Sequence, residues 1–460
     1  RRMALACGLT PMPDPVPLNA KIFDRIEHDD YTVEKVHFEV TPGFLCTGNL
    51  YRPKGKGPFP AVVNPHGHWK TGRLEDTEDC SVPARCITLA RMGAVAFTYD
   101  MVGYNDSRQF PTHRWVDDRE KLWGIHPFAI QLMTSLRAVD FVSSLPEVDS
   151  ERIGCTGASG GGTQTFSLFT VDPRIKVAAP VNMISSTMQG GCICENAPLI
   201  RYENSNMEIG ALMAPRPLLM VAATGDWTRE TPRVEFPAIQ SIYKLYGAEA
   251  NVEYVQFDYG HNYNKDSRTA MYRLFGKHLI DPSRDWSGFT EPPYTKESDE
   301  NLHVFPGESC PKGLKGKTEI IESLIERNRT KWEGVLPADR TAVPAFREKY
   351  GAIIGDVLGV ETPTANAVHA ERIYSLVRDD YVLEHWIIGR KEAGDAVPVL
   401  FFRDKGAAPQ DAVILVDEKG KEAFVDMEKG GPGPLVSALM AQGKAVLAID
   451  AFLTGEHHGP

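Results

Sequence analysis

Short apolar runs alternate with helical periods through the first 280 residues of the chain. Residues 31–40 alternate apolar and polar positions, which predicts a half-buried strand, and residues 44–51 repeat the signal after a Pro-Gly turn, which predicts a hairpin. Further runs have the apolar character of buried strands: 60–64, 94–99, 153–156, 177–181, 217–222 and 252–257. Helical periods separate them, for example at 128–145 and 237–246. This alternation predicts an α/β fold with a mostly parallel sheet covered by helices on both faces.

The pattern changes after residue 281. Residues 282–316 are rich in proline and charge and poor in aliphatic side chains, which predicts a linker. Helical periodicity resumes at residue 318. We therefore expect a first domain at 1–281, a linker at 282–316 and a second domain at 317–460.

An internal repeat relates the two predicted domains. Asp29-Asp30-Tyr31 recurs as Asp379-Asp380-Tyr381, and residues 89–100 recur at the same offset as 439–450. Two matches at one offset favour a tandem copy over chance similarity of two α/β segments. The copy breaks off after Asp450, so it predicts an incomplete second domain of the same fold. We expect either a longer natural polypeptide, trimmed at both ends, or a second chain that completes its sheet; the alternative is a decayed repeat with a structural role.

Composition excludes several classes of protein. The chain has 460 residues and a formal net charge of −11, which argues against a nucleic-acid partner. No stretch approaches the length of apolar sequence that spans a membrane. Eight cysteines are too few for a disulfide scaffold. The pair Cys192 and Cys194 is either half of a metal site or two ordinary packed thiols, and the second interpretation is favoured because free cysteine packs as a small apolar residue.

The strongest chemical signal is Gly157-Ala158-Ser159-Gly160-Gly161. It follows a predicted buried strand and precedes the helical run 163–168, which is the context of a nucleophile elbow. The two outer glycines leave room for backbones to close around a tight turn. Ser159 is therefore the predicted nucleophile.

A serine hydroxyl needs a base, and this kind of fold delivers an acid and then a histidine from loops after later strands. Asp226 follows the strand at 217–222, and His261 follows the strand at 252–257. Both are expected at the same edge of the sheet as Ser159. Glu230 and Asp258 remain alternative acids.

The oxyanion of an acyl-transfer reaction needs two backbone N–H donors. Gly160 is expected to supply one. The other is expected from the loop after the strand at 60–64, where we favour His68 over Gly67. Zinc binding by His66 and His68 is not favoured, because the sequence shows no third ligand nearby, and we expect no metal.

These residues carry a family resemblance. Leu50-Tyr51-Arg52-Pro53, His66-Gly67-His68-Trp69, Gly157 to Gly161, Gly225-Asp226-Trp227-Thr228 and Gly260-His261-Asn262-Tyr263 resemble the α/β-hydrolase superfamily, and within it the acetylxylan-esterase-like serine esterases of bacteria. The resemblance covers about residues 20–280. It implies hydrolysis of acyl esters by a Ser-His-Asp triad without a cofactor, and it favours a periplasmic or secreted location over a cytoplasmic one. Residues 188–196 depart from the simplest members and are expected to form part of a cap over the site.

The expected substrate is a small-molecule or carbohydrate ester, and we favour an acetylated carbohydrate. Trp69, Trp227 and Trp123 are candidates for stacking on a sugar or an aromatic group, with ordinary loop packing left equally open. A peptidase of the same fold and a non-catalytic tandem module in carbohydrate binding are the alternative functions.

Overall fold

The computed structural model describes residues 1–305, 307, 311–360, 362–406 and 411–457. The chain divides into two compact units, Arg1–Val357 and Leu358–Pro460. No helix in these described ranges combines the length and the apolar character needed to cross a membrane.

The elements of the first unit follow the predicted alternation. Its strands are β1 (Lys21–Glu27), β2 (Tyr31–Thr41), β3 (Phe44–Pro53), β4 (Phe59–Val63), β5 (Val95–Tyr99), β6 (Val148–Ala158), β7 (Ile175–Val181), β8 (Leu218–Ala223) and β9 (Val252–Phe257). Its helices are α1 (Arg2–Ala6), α2 (Val82–Met92), α3 (Asp118–Leu122), α4 (Pro127–Ser143), α5 (Gly160–Val171), α6 (Asn206–Ala211), α7 (Glu235–Leu245), α8 (Lys265–Phe275), α9 (Asp299–Leu302) and α10 (Lys317–Glu333). The helix α11 (Val343–Leu358) ends at the boundary of the unit.

The nine strands form one sheet in the order β1-β2-β3-β5-β4-β6-β7-β8-β9. The strands β1, β2 and β3 pair antiparallel, and β3 pairs antiparallel with β5. From β5 to β9 all neighbours are parallel, so their carboxyl ends share one edge. The predicted α/β class, the hairpin and all six strands are confirmed, but the strand at 252–257, β9, lies at the edge of the sheet and is buried only at Val252. The strand β1 was not predicted, because it is an edge strand whose side chains are mostly exposed.

Helices cover both faces of the sheet. One core includes Ile130 of α4, Phe166 of α5 and Ile239 of α7. The other includes Leu89 of α2 and Phe275 of α8. Because the parallel strands are buried between these two layers, polar side chains accumulate at the strand ends and in the loops that follow them.

The predicted linker at 282–316 is wrong for the residues the structure describes, which omit 306 and 308–310. Trp286 is buried, and the Glu291 carboxylate accepts two hydrogen bonds from the buried Arg268 guanidinium, at 2.6 and 2.7 Å. The helix α10 adds Ile320 and Leu324 to the first core. The segment therefore belongs to the first unit, and the boundary lies at about residue 357 rather than 317.

The second unit is a smaller α/β structure. Its strands are β10 (Val368–Val377), β11 (Tyr381–Arg390), β12 (Val397–Asp404), β13 (Asp411–Leu415), β14 (Val425–Asp426), β15 (Gly431–Pro432) and β16 (Lys444–Ile449), and its helix is α12 (Pro434–Met440). Five strands form a sheet in the order β10-β11-β12-β16-β13. This order and the strand directions match β1-β2-β3-β5-β4 of the first unit. Among the described strands β13 pairs with β16 alone, whereas its counterpart β4 also pairs with β6; completion of this sheet by further chain stays a prediction.

A buried ion pair occurs at the same place in both units. Asp100 follows β5, and its Oδ1 lies 2.9 Å from Nε of the fully buried Arg73. Asp450 follows β16, and its Oδ2 lies 2.5 Å from Nζ of the buried Lys421. In each unit the pair holds a loop of the chain against the end of a central strand.

The packing of residues 282–305 can be tested through Glu291. We expect Glu291→Ala to lower the free energy of unfolding by about 3–5 kcal/mol, because it leaves the Arg268 charge buried without its partner. The matched control is Glu253→Ala, which removes an exposed pair with Lys277 and should cost less than about 1 kcal/mol. Urea unfolding of the full chain measures both. Equal, small losses would mean that the segment is peripheral to the first unit.

Candidate active site

The candidate nucleophile Ser159 lies between β6 and α5, at the carboxyl edge of the sheet. Its backbone has φ 57° and ψ −126°, a conformation that a non-glycine residue seldom adopts. Such a strained turn lifts the side chain out of the sheet and places it beside the N-terminus of α5. The local geometry is that of a nucleophile elbow.

Two glycines of the elbow are required by a close approach of backbone. A Cβ on Gly157 would lie 2.4 Å from the Pro65 carbonyl oxygen, and one on Gly161 would lie 2.5 Å from the same atom. Neither contact is possible for a real side chain. The loop after β4 therefore packs directly on the elbow because both positions are glycine.

The same approach brings the predicted oxyanion loop to Ser159. A Cβ on Gly67 would lie 3.1 Å from the Ser159 Cβ, and one on Gly160 would lie 2.7 Å from Cε1 of the His68 ring. Gly67, His68 and Gly160 thus line the turn around the candidate nucleophile. The neighbouring His66 plays a different part, since its buried Nε2 accepts a hydrogen bond from Met101 N–H at 2.9 Å. Burial lowers the pKa of His66 to about 3, so the ring is neutral.

The predicted acid and base lie together in the loops after β8 and β9. His261 Nδ1 lies 3.3 Å from Asp226 Oδ1, and the Asp226 carboxylate is almost completely buried. Asp226 Oδ2 accepts a hydrogen bond from Thr228 Oγ1 at 3.0 Å, which fixes its orientation. The alternative acids point elsewhere: Glu230 pairs with Arg233, and Asp258 accepts a hydrogen bond from Thr224.

The other ring nitrogen of His261 remains available. His261 Nε2 is buried and has no hydrogen-bond partner among the described residues. A histidine poised in this way can accept a proton from a nearby hydroxyl, and such contacts are often long before substrate binds.

Of the three predicted stacking residues, two lie against His261. The ring centroids of Trp69 and Trp227 are 5.9 and 4.3 Å from that of His261. Trp123 instead contacts α10, where its carbonyl accepts a hydrogen bond from Asn328. The structure therefore does not bring Trp123 to the site.

Sequence reasoning missed Asn182, which joins the loops at this edge. Asn182 directly follows β7 with φ 49°, and its carbonyl accepts a hydrogen bond from Trp227 Nε1 at 2.9 Å. Its side-chain amide donates to the Asn262 carbonyl at 3.1 Å. One residue thus positions the loops that carry both Asp226 and His261. The only signal in the sequence is an asparagine, which tolerates positive φ, immediately after a strand.

The 188–196 segment also reaches the oxyanion loop, as the predicted cap should. The Glu195 carboxylate lies 3.6 Å from His68 Nδ1, and Cys194 Sγ lies 3.0 Å from His68 Nε2. His68, His113, Cys192 and Cys194 form a group of metal-type ligands whose ligand atoms lie within 4.8 Å of one another. The sequence showed no third ligand beside His68 because these residues come from separate loops; the expectation that the chain binds no metal stays a prediction.

Comparisons with known proteins find a family model and relatives named as esterases and hydrolases. Residues 19–187 match the acetyl xylan esterase (AXE1) family. The structure named "Methylesterase BT1017" is 30% identical and superposes with a TM-score of 0.58 over 72% of this chain and 74% of that one. YtaP, a Bacillus subtilis protein assigned to the hydrolases, is 26% identical over 247 residues, which cover 50% of this chain and 82% of YtaP. Acetyl esterase Axe7A of Xylanibacter ruminicola is 22% identical over 191 residues, which cover 38% of this chain and only 41% of Axe7A.

A mostly parallel sheet with an elbow serine at its carboxyl edge is the architecture of an α/β-hydrolase. Within that superfamily, the chain belongs to the acetylxylan-esterase-like serine ester hydrolases.

The assignment of Asp226 as the acid can be tested by charge-neutral substitution. We expect Asp226→Asn to fold normally and to lower kcat on a p-nitrophenyl ester by about 10⁴, because the amide would stabilise the wrong imidazole tautomer, as the same substitution does in serine proteases. Asp258→Asn and Glu230→Gln are matched controls that should retain most of the activity. A crippled control beside a nearly unaffected Asp226→Asn would place the acid elsewhere.

Proposed function

We propose that the chain is a serine carboxylesterase that works through Ser159, His261 and Asp226 and removes acetyl groups from a carbohydrate. The observation that carries the proposal is that the strained elbow of Ser159 lies at the same edge of the sheet as His261 and Asp226. His261 Nδ1 lies 3.3 Å from Asp226 Oδ1. The enzyme class, a serine ester hydrolase, follows from the family. The assignment of the triad and the choice of a sugar ester as the substrate are what we propose.

The proposed mechanism has two steps. His261 Nε2 takes the proton of Ser159 Oγ as the oxygen attacks the ester carbonyl, and the imidazolium then protonates the departing alcohol. Water, activated by the same nitrogen, hydrolyses the acyl-enzyme and frees Ser159. Asp226 holds the ring in the tautomer that leaves Nε2 unprotonated.

The negative oxygen of each tetrahedral intermediate needs donors that are already in place. The N–H groups of Gly160 and His68 are our assignment, with Gly67 as the alternative to His68. Support comes from the packing of this loop on the elbow, because a donor held by backbone contacts needs no reorganisation when charge develops.

Two kinds of sugar ester are candidates. The matched family and Axe7A carry names that refer to acetyl esters, which supports cleavage of an acetylated carbohydrate. The structural relative that is 30% identical is named a methylesterase, which supports a methyl ester of an acidic sugar as the second candidate. The two reactions differ in the acyl group that is transferred to Ser159. It is the acetyl group in the first case and the acyl group of the sugar acid in the second.

Peptide hydrolysis and a purely binding role are less well supported. A peptidase of this fold usually carries a domain that filters its substrates, and residues 1–357 instead form a single compact unit. A binding module would not need a strained serine beside a buried carboxylate–histidine pair.

The nucleophile is tested by Ser159→Ala. We expect the variant to fold as the parent does and to lose about 10⁶ in kcat, because members of a triad act as a unit. A fluorophosphonate should label the parent chain once, at Ser159, and should leave the variant unlabelled.

The matched control is Ser144→Ala, which changes an exposed serine at the end of α4 and should keep full activity and labelling. Near-parental turnover by Ser159→Ala, or labelling at another residue, would overturn the proposed nucleophile.

The substrate class is tested by measuring both products. Acetylated xylo-oligosaccharides should release acetate, and methyl-esterified polygalacturonate should release methanol, each in a Ser159-dependent manner. Acetate release alone supports the first candidate, and methanol release alone supports the second. Cleavage of a peptide p-nitroanilide with neither ester cleaved would overturn both.

A further inference from the structure

Two histidines and two cysteines meet beside the proposed oxyanion hole. His68 follows β4, His113 lies in the long connection after β5, and Cys192 and Cys194 lie in the segment after β7. Each offers one ligand atom, and all four atoms lie within 4.8 Å of one another. Both thiols are buried and neither forms a disulfide.

We infer that His68, His113, Cys192 and Cys194 form a tetrahedral zinc site that fastens three active-site loops together. Ligands about 2.0–2.3 Å from a tetrahedral zinc ion lie about 3.3–3.8 Å from one another. The observed group therefore needs only small side-chain adjustments to close on an ion. Two thiolates with two imidazoles form a donor set that zinc favours, and hard cations such as Ca²⁺ and Mg²⁺ would reject the sulfur atoms.

The orientation of His68 supports this inference independently of the cluster. Its Nε2 faces the Cys194 sulfur at 3.0 Å, while its Nδ1 faces the Glu195 carboxylate at 3.6 Å. Zinc-bound histidines commonly present the second ring nitrogen to a carboxylate, which fixes the ring and raises its basicity. Glu195 is itself held, since its Oε2 accepts a hydrogen bond from Cys192 N–H at 2.7 Å.

The apolar side chains around the two thiols are too few to form a hydrophobic core by themselves. Met101, Cys192 and Cys194 form a separate buried cluster, with Tyr104 and Ile193 packed against it. The rest of the segment is held by Ile200 in the first core and by Arg201, which donates a hydrogen bond to the Glu195 carbonyl at 3.3 Å. A metal ion would add a direct link between the thiols and the two histidine loops, since four protein ligands make a closed, structural site rather than a catalytic one.

The site would act on catalysis by positioning. The His68 ring lies over Gly160, so fixing the ring fixes the loop whose N–H is the proposed oxyanion donor. This part of the inference rests on the proposed function, whereas metal binding does not. Loss of the ion should lower kcat more than it raises KM, because an oxyanion donor is used in the transition state.

Metal content is the direct test. The full chain, purified without chelators, should contain about one zinc per chain by plasma mass spectrometry. Cys194→Ser and His113→Asn should lose most of that zinc. The matched control, Cys86→Ala, removes a buried thiol of α2 outside the cluster and should keep it.

If a variant fails to fold, zinc binding can be measured instead on the parent chain after a chelator has removed its metal. Zinc added under reducing conditions should bind with about 1:1 stoichiometry in competition with a chromophoric chelator. It should protect two thiols from a thiol reagent. Cobalt in its place should give the visible spectrum of a tetrahedral thiolate complex. Stripping should lower kcat at least about tenfold on a p-nitrophenyl ester, and zinc should restore it.

Three results would overturn the zinc site. They are no zinc in the reduced parent chain before or after its addition, equal zinc in the control and the cluster variants, and an intact mass that shows Cys192 and Cys194 joined as a disulfide in the active protein. Zinc binding with unchanged kcat after stripping would overturn the positioning role alone. An inactive parent that still binds zinc would count against the proposed function and leave the site standing.

Discussion

The carbonyl of Pro65 lies so close to two glycines of the elbow that a methyl group on either would overlap it. Everything at the carboxyl edge depends on this contact between backbones. It sets the distance between the loop after β4 and the loop after β6, and so it brings Gly67 next to Ser159. The strained backbone conformation of Ser159 persists because the residues packed on both sides of the turn exclude other conformations.

The remaining loops at this edge contribute side chains such as Met183 and Tyr263 to the hydrophobic cores, and polar contacts join the loops to one another. Asn182 joins the loop after β7 to those after β8 and β9 by hydrogen bonds, and the buried Asp226 carboxylate lies 3.3 Å from His261 Nδ1. The Cys and His group links the loops after β4, β5 and β7. In a parallel sheet with both faces covered by helices, the loops after the strands meet at one edge, where such contacts can join them.

Sequence reasoning succeeded where a signal is local. Buried strands, the elbow at Ser159, and Asp226 and His261 after successive strands all follow from short patterns. It failed where the meaning of a residue depends on a distant partner. In the sequence, Glu291 resembles a solvated charge in a linker, and only its pairing with Arg268 shows that it is buried. His68 and His113 have no fixed spacing from Cys192, because three separate loops bring these residues together.

The repeat gives the chain an internal comparison between architecture and chemistry. The ion pair of Arg73 with Asp100 has a counterpart in Lys421 with Asp450. The loop after β13, however, reads Asp417-Glu418-Lys419 where the loop after β4 reads His66-Gly67-His68. The smaller unit thus has an ion pair at the matching place without these histidines, so the buried aspartate belongs to the architecture that the two units share rather than to the chemistry at Ser159. Substitutions at Asp100 are therefore limited by what the packed scaffold tolerates, in either unit and whatever the substrate.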